Sequence, residues 1–322
     1  IDAHTHIGID AASFYSGHYP YGITTEDHIV RMDLSRIGCS VTFPLVYTSY
    51  FQLEAFRNGV FRRDPRSGVS APYEAENRHM MRELCEDFPE FQGRFLPFAF
   101  FDPSRRQAEQ VANLRNLAQE YPIFGLKTAS TYLHAPILDL LGKGACLLDF
   151  AAEHDLPVTL HCAVLPGDAW AQVADILKVV EARPDVRFAI AHTCRFDRRG
   201  LERANELPNC FVDCSAFHIH CLLALRRRPS VALGKDQFPA PYANHAEALQ
   251  LIAETYPDTL IWGTDTPAHY WKGKFRNDKG EWVRSDLPCG PLTEIQEFRK
   301  LPRKLQARIG HANTVRYLFG AR

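Results

Sequence analysis

No stretch of the 322-residue sequence approaches the about 18 consecutive apolar residues that a membrane-spanning helix needs. The opening residues, charged and histidine-bearing, do not read as a signal peptide. Charge of one sign is also lacking: 37 Lys+Arg stand against 38 Asp+Glu, a formal net charge of -1. No global field therefore gathers a nucleic acid or draws the chain to an acidic membrane. The basic run Arg226-Arg227-Arg228 is a local exception; it follows the apolar, helical stretch Cys221–Leu225 and precedes Pro229, as cations at a helix C-terminus do. The nine cysteines form no C-x-x-C pair and lack the regular spacing of a disulfide framework. Cys146, Cys162, Cys210 and Cys214 lie in apolar stretches and read as buried free thiols, which fits a reducing cytoplasm.

What is present is an ordinary globular composition, 46% hydrophobic and 23% charged. Short β-rich runs alternate with longer helical patterns. The runs are Ile1–Gly8, Val41–Tyr47, Arg94–Phe101, Phe124–Ala129, Pro157–Cys162, Arg187–Thr193, Cys210–Ser215 and Leu260–Thr264. Helical stretches between them lie around Asp27–Ile37, Glu74–Asp87, Arg105–Glu120, Gly144–His154, Gln172–Ala182, Leu201–Asn205 and Ala246–Thr255, with terminal helices over Leu301–Phe319. Eight strand-then-helix units predict an α/β fold of the (β/α)8 TIM-barrel type, one domain over 1–322 with insertions at about 47–72 and 268–290. A doubly wound sheet would want a glycine-rich phosphate turn after its first strand, which His4-Thr5-His6-Ile7-Gly8 does not supply.

Barrel enzymes carry their active sites at the C-terminal ends of the strands. Alternate residues of a strand share a face, so His4 and His6 point the same way with Cα atoms roughly 6.6–6.8 Å apart, and two such imidazoles can converge on one metal ion. Lys127 lies late in its run, and His161, His192 and Asp265 end or follow theirs, each of these three after an apolar stretch such as Val158-Thr159-Leu160 or Phe188-Ala189-Ile190-Ala191. One such histidine is most simply structural. Polar residues at equivalent positions of several strands point to a shared metal site.

The connections on that face are long. Phe14, Tyr15, His18, Tyr19 and Tyr21 form an aromatic cluster after the first run, and Tyr47–Pro72 carries Arg57, Arg62, Arg63 and Arg66. Such a rim suits a planar or carboxylate-bearing small molecule, although arginines on a surface loop are ordinarily just solvated. Arg195, three residues after His192, is the better anion-binding candidate. His218 and His220 repeat the alternate spacing of the first pair but fall in a helical stretch, which argues against a second metal pair. His269, Tyr270 and Trp271 follow Asp265 closely enough to cover the site, and 274–284 reads as a hairpin turning at Asn277–Gly280, a lid or an oligomer contact.

The ordered set Ile1-Asp2-Ala3-His4-Thr5-His6, Gly125-Leu126-Lys127, Leu156-Pro157-Val158-Thr159-Leu160-His161, Ala191-His192 and Trp262-Gly263-Thr264-Asp265-Thr266-Pro267 resembles the amidohydrolase superfamily. The branch it resembles is amidohydrolase family 2, which also holds metal-dependent decarboxylases; Ile309–Gly320 looks like its closing helix. The resemblance implies that His4, His6, His161 and Asp265 bind a divalent metal, most often zinc, and imidazoles with one carboxylate do suit Zn²⁺. It implies one ion, or two if Lys127 is carboxylated and bridges them, with His192 then a ligand of the second. Asp265 would accept a proton from water and pass it to the leaving group, while His192 would polarise a carbonyl or act as general acid/base. Arg195, His269 and Tyr19 are candidates for substrate contact, and a homo-oligomer is the family's common state.

The activity expected is metal-dependent hydrolysis of a C–N, ester or lactone bond in a small molecule, with non-oxidative decarboxylation of an aromatic or unsaturated carboxylic acid as the alternative. A metal-dependent nuclease also beginning with two alternate histidines is disfavoured by the near-neutral charge and by Lys127, where such nucleases carry a glutamate. A binding protein that kept the barrel without the chemistry would hold no stoichiometric metal.

Overall fold

The computed structural model describes residues 1–276 and 280–320. Eight parallel strands follow one another in chain order: β1 (Asp2–Ile9), β2 (Ser40–Pro44), β3 (Phe95–Phe100), β4 (Gly125–Thr128), β5 (Val158–Leu160), β6 (Phe188–Ile190), β7 (Cys210–Asp213) and β8 (Leu260–Ile261). A two-residue strand, Gly22–Ile23, pairs antiparallel with the end of β1. The ring closes between the chain after β8 and β1: Ala3 N donates to Trp262 O at 2.9 Å, Asp265 N to His4 O at 2.8 Å and His6 N to Thr266 O at 2.6 Å. The curled sheet, ringed by helices, is a (β/α)8 barrel.

Alternation along the strands explains the two principal cores. Phe188, Ile190, Cys210, Val212 and Leu260 join the large cluster between sheet and helices, whereas Ala189, Phe211 and Ile261, at the intervening positions, join a second cluster with Phe43 and Phe98. That second cluster fills the barrel and is plugged by Tyr317 of the C-terminal helix Asn313–Phe319, whose hydroxyl lies 2.8 Å from Thr159 Oγ1. The same parity turns Lys127, His161 and Asp213 inward, because Leu126, Leu160 and Val212 are packed outward.

Strands end earlier than the apolar runs suggest. β2 stops at Pro44, not Tyr47, and β6 at Ile190, not Thr193. Beyond β6 the residues His192, Thr193, Cys194, Arg195 and Phe196 all have φ between 47° and 60°, a left-handed turn made without glycine. Each such residue costs about 1–2 kcal/mol. Burial of Cys194 and Phe196 in the large core and the bonds Ala232 N to Arg195 O and Phe238 N to Phe196 O, both 2.9 Å, hold the turn in place.

The segment after β2 carries a short helix, Leu53–Arg57. Its arginines are largely tied to the protein itself: Arg57 to Ser16, Glu54 and Tyr15 O, Arg63 to Val69 O, and Arg66 to Asp64. The segment after Asp265 forms an antiparallel hairpin of Trp271–Arg276 and Trp282–Leu287, and Tyr19 pairs with Lys272 through its backbone, so the hairpin lies against the loop after β1. Its expected turn at Asn277–Gly280 lies, except for Gly280, outside the described residues. Among the described residues no helix is long and apolar enough to cross a membrane.

Candidate metal centre

His4 and His6 leave β1 on one face with ring centroids 5.4 Å apart. Each ring is oriented through its Nδ1: that of His4 donates to Asp213 Oδ2 and that of His6 to Pro44 O, both at 2.9 Å. A backbone carbonyl and a carboxylate are acceptors, so the proton of each neutral imidazole resides on Nδ1 and the lone pair on Nε2. Both Nε2 atoms point at one oxygen, Asp265 Oδ1, at 3.4 Å. Burial and the neighbouring Lys127 keep the His4 pKa below the ordinary histidine value. Burial alone would raise the carboxyl of Asp265, but His4, His6 and Lys127 outweigh it and hold the group below its ordinary value.

Two nitrogen lone pairs and an anionic oxygen that face one another repel and invite a cation among them, of which Lys127 Nζ, 3.5 Å from His4 Nε2, supplies one beside the group. The donor set of imidazoles and one carboxylate therefore fits a divalent ion of the zinc type. His192 stands beside it: His4, His192 and Asp265 each offer an atom within 4.8 Å of the others, and all three are buried. Lys127, 1% exposed, places Nζ 3.5 Å from His4 Nε2 and 5.0 Å from the centre of the Phe43 ring, and burial lowers its pKa to about 8.

His161 lies next to this group rather than facing Asp265. Its Nδ1 is 3.0 Å from His192 Nε2 and its Nε2 is 2.9 Å from Arg195 Nη2. Tyr132, half exposed, leans over it with ring centroids 5.1 Å apart. His220, on the helix Phe217–Leu225, packs 5.0 Å from the His192 ring and contacts the Arg195 guanidinium. His269 is 1% exposed, neither ring nitrogen has a partner among the described residues, and burial followed by the charge of Arg31 lowers its pKa to about 3. Tyr19, 46% exposed, sits on the rim beside Tyr21.

Two participants were not singled out by sequence reasoning, and a third, His220, was weighed only as half of a disfavoured metal pair. Asp213 and Ser215 orient His4 and His192, with Ser215 Oγ 3.0 Å from His192 Nδ1. Asp213 ends an apolar run, Cys210-Phe211-Val212, in the manner of His161 and His192, so the signal was there to be used. His220 was read only with His218, and since alternate residues of a helix lie on opposite sides, that spacing did not point to its contact with Arg195.

A barrel whose first strand supplies two Nε2 lone pairs to a carboxylate after its last strand has the layout of an amidohydrolase-type metal enzyme. The amidohydrolase family profile matches residues 1–320, and the chain belongs to that family of metal-dependent enzymes. Among solved structures, 2,6-dihydroxybenzoate decarboxylase from Rhizobium is similar with a TM-score of 0.58 and 13% identity over 98% of both chains. An amidohydrolase from Burkholderia multivorans has the same TM-score, identity and coverage. Dihydroorotase from Campylobacter jejuni gives a TM-score of 0.50 and 14% identity over 98% of this chain and 82% of the other. At these identities the likeness is one of fold. No curated protein matches the chain.

Proposed function

We propose that the protein is a metal-dependent hydrolase that cleaves a C–N, ester or lactone bond of a small molecule. The observation that carries this reading is the convergence of His4 Nε2 and His6 Nε2 on Asp265 Oδ1 at 3.4 Å. His4, His6 and Asp265, with His161 as the resemblance implies, would hold one ion, zinc being the best match to the donors. When bound, a divalent ion supplies Lewis acidity toward a substrate oxygen and toward water.

Asp265 is the proton carrier in this reading. Its carboxylate accepts the proton that the attacking water loses and returns it to the leaving nitrogen or oxygen, so no net proton accumulates. His192, whose Nδ1 lies 4.0 Å from Asp265 Oδ2, stands beside the reacting group to polarise a substrate carbonyl or to act as general acid/base. Arg195, His269 and Tyr19 line the approach of the substrate. In this reading Lys127 is a buried cation near Asp213 and Asp265 and the site holds one ion; carboxylated, Lys127 would instead bridge two. The same reading takes 1–322 as one domain, its insertions at about 47–72 and 268–290 shaping the mouth, and places a homo-oligomer in the reducing cytoplasm, in keeping with nine unpaired cysteines.

The half-exposed Tyr132 over His161 favours a second reading, decarboxylation of an aromatic acid, in which His192 or Asp265 protonates the carbon that loses CO₂. The zinc-loaded enzyme is to be assayed with lactones, N-acyl compounds and hydroxybenzoates while acid release and CO₂ are followed. Acid release without CO₂ supports the hydrolase. CO₂ evolution replaces it with the lyase, and either activity persisting undiminished in Asp265→Asn overturns both.

A further inference from the structure

Arg195 reaches the site from the left-handed turn after β6, three residues beyond His192. Its Nε donates to Cys162 O at 3.0 Å, Nη2 donates to His161 Nε2 at 2.9 Å, and Nη1 donates to His220 Nε2. A guanidinium only donates and does not lose its proton, so both of those Nε2 atoms present lone pairs to it. His161 then carries its proton on Nδ1, which faces His192 Nε2 at 3.0 Å. His192 in turn carries its proton on Nδ1, 3.2 Å from Ser215 O, which can only accept. One arginine thereby fixes the tautomers of three buried histidines.

A neutral imidazole has one in-plane lone pair: with Arg195 on Nε2 the proton sits on Nδ1, the nitrogen that faces His192, and an ion taken on Nδ1 would move the proton to Nε2, against the guanidinium. A second observation concerns charge: among the described residues Arg195 pairs with histidines and a carbonyl, and with no carboxylate. A partly buried guanidinium without a counter-anion is a group built to receive one.

We propose that Arg195 competes with the divalent ion for His161, and that the guanidinium released when the ion is taken up binds a carboxylate of the substrate. This rests on the metal reading given above and narrows its substrate class to small molecules that carry a carboxylate near the reacting bond. Uptake of metal and binding of substrate become linked through one side chain. Nε, bonded to Cys162 O, keeps the arginine at the barrel mouth.

Zinc affinity, measured by competition with a chromophoric chelator, tests the first half; binding of benzoate to the zinc-loaded enzyme tests the second. Charge-assisted hydrogen bonds of this kind are strong enough that Arg195→Met is expected to bind zinc about tenfold more tightly than wild type, or better. Arg195→Lys, which keeps a cation but cannot span two histidines, moves the same way by a smaller factor and serves where methionine is not tolerated. Benzoate is expected to bind zinc-loaded wild type and to lose about tenfold or more in Arg195→Met. Zinc binding in both variants equal to or weaker than wild type overturns the competition, and unchanged benzoate binding overturns the anion role. His161→Ala separates this from failure of the metal reading: zinc affinity untouched by that change removes His161 from the ligand set, whereas loss of zinc there with no change in Arg195→Met sinks the present inference alone.

Discussion

Asp213 Oδ2 accepts a hydrogen bond from His4 Nδ1 at 2.9 Å, and each side chain is only 1% exposed. The contact ties β7 to β1 across the barrel. The other carboxylate oxygen takes the backbone N–H of His192 at 3.2 Å and of Ser215 at 3.0 Å, so one buried anion orients two histidines of the site. Burial pushes the Asp213 carboxyl up, but His4, Lys127 and the Ser215 hydroxyl outweigh it and leave it well below the ordinary range. Replacement by Asn keeps the shape and removes the charge. Asp213→Asn is expected to lower zinc affinity about 10–100-fold, as loss of an outer partner of a ligating histidine does, and chelator competition reads it. Unchanged affinity would take Asp213 out of this role.

Gly263 stands where the chain after β8 passes β1. A Cβ there would meet His4 N and His4 Cβ at 2.9 Å and Asp2 Oδ1 at 3.4 Å. Backbone cannot yield as a flexible side chain does, so Gly263→Ala is expected to cost about 1–3 kcal/mol in a urea melt and to loosen zinc binding by shifting His4. A melt like that of wild type would show the seam to be softer than its geometry indicates.

Glu294 is buried and accepts the His218 backbone N–H at 2.9 Å, while burial, with Asp265 and Asp2 adding to it, raises its pKa from 4.5 to about 8. The folded protein thus holds a proton that the unfolded chain releases above about pH 4.5. Stability contributed by this group is fully present below that value and is lost as pH rises toward about 8. Glu294→Gln has no proton to lose. Its urea midpoint relative to wild type is expected to rise steadily between these two values and to level off above them; a constant difference contradicts the shift.

The barrel and the grouping of His4, His6 and Asp265 were legible for related reasons. Runs such as Val158-Thr159-Leu160 must be buried on both faces, and a histidine closing such a run is costly in a core unless a partner or ion meets it. The left-handed turn was not legible, because Ala191-His192-Thr193 reads as strand and five positive-φ residues without glycine leave no mark on composition. Nor was the engagement of His161 by Arg195 visible, since a contact between residues 34 apart is set by the turn. Arg57, Arg63 and Arg66 read as a cationic rim, yet their bonds lie mostly within the loops that carry them.

In the proposed reaction Asp265 is both metal ligand and proton carrier. Asp265→Asn keeps the size of the side chain and removes the base, so turnover is expected to fall by at least about 100-fold with the circular dichroism spectrum unchanged. Rates near wild type would remove Asp265 from the mechanism.

The central claim is that His4 and His6, with Asp265, hold an ion at the end of β1. Elemental analysis of protein purified without chelator, wild type beside the double variant His4→Gln/His6→Gln, tests it most directly. One divalent ion per wild-type chain and essentially none in the folded double variant is the expected result. A full complement of metal in the double variant, or an active wild type that holds none, would contradict it.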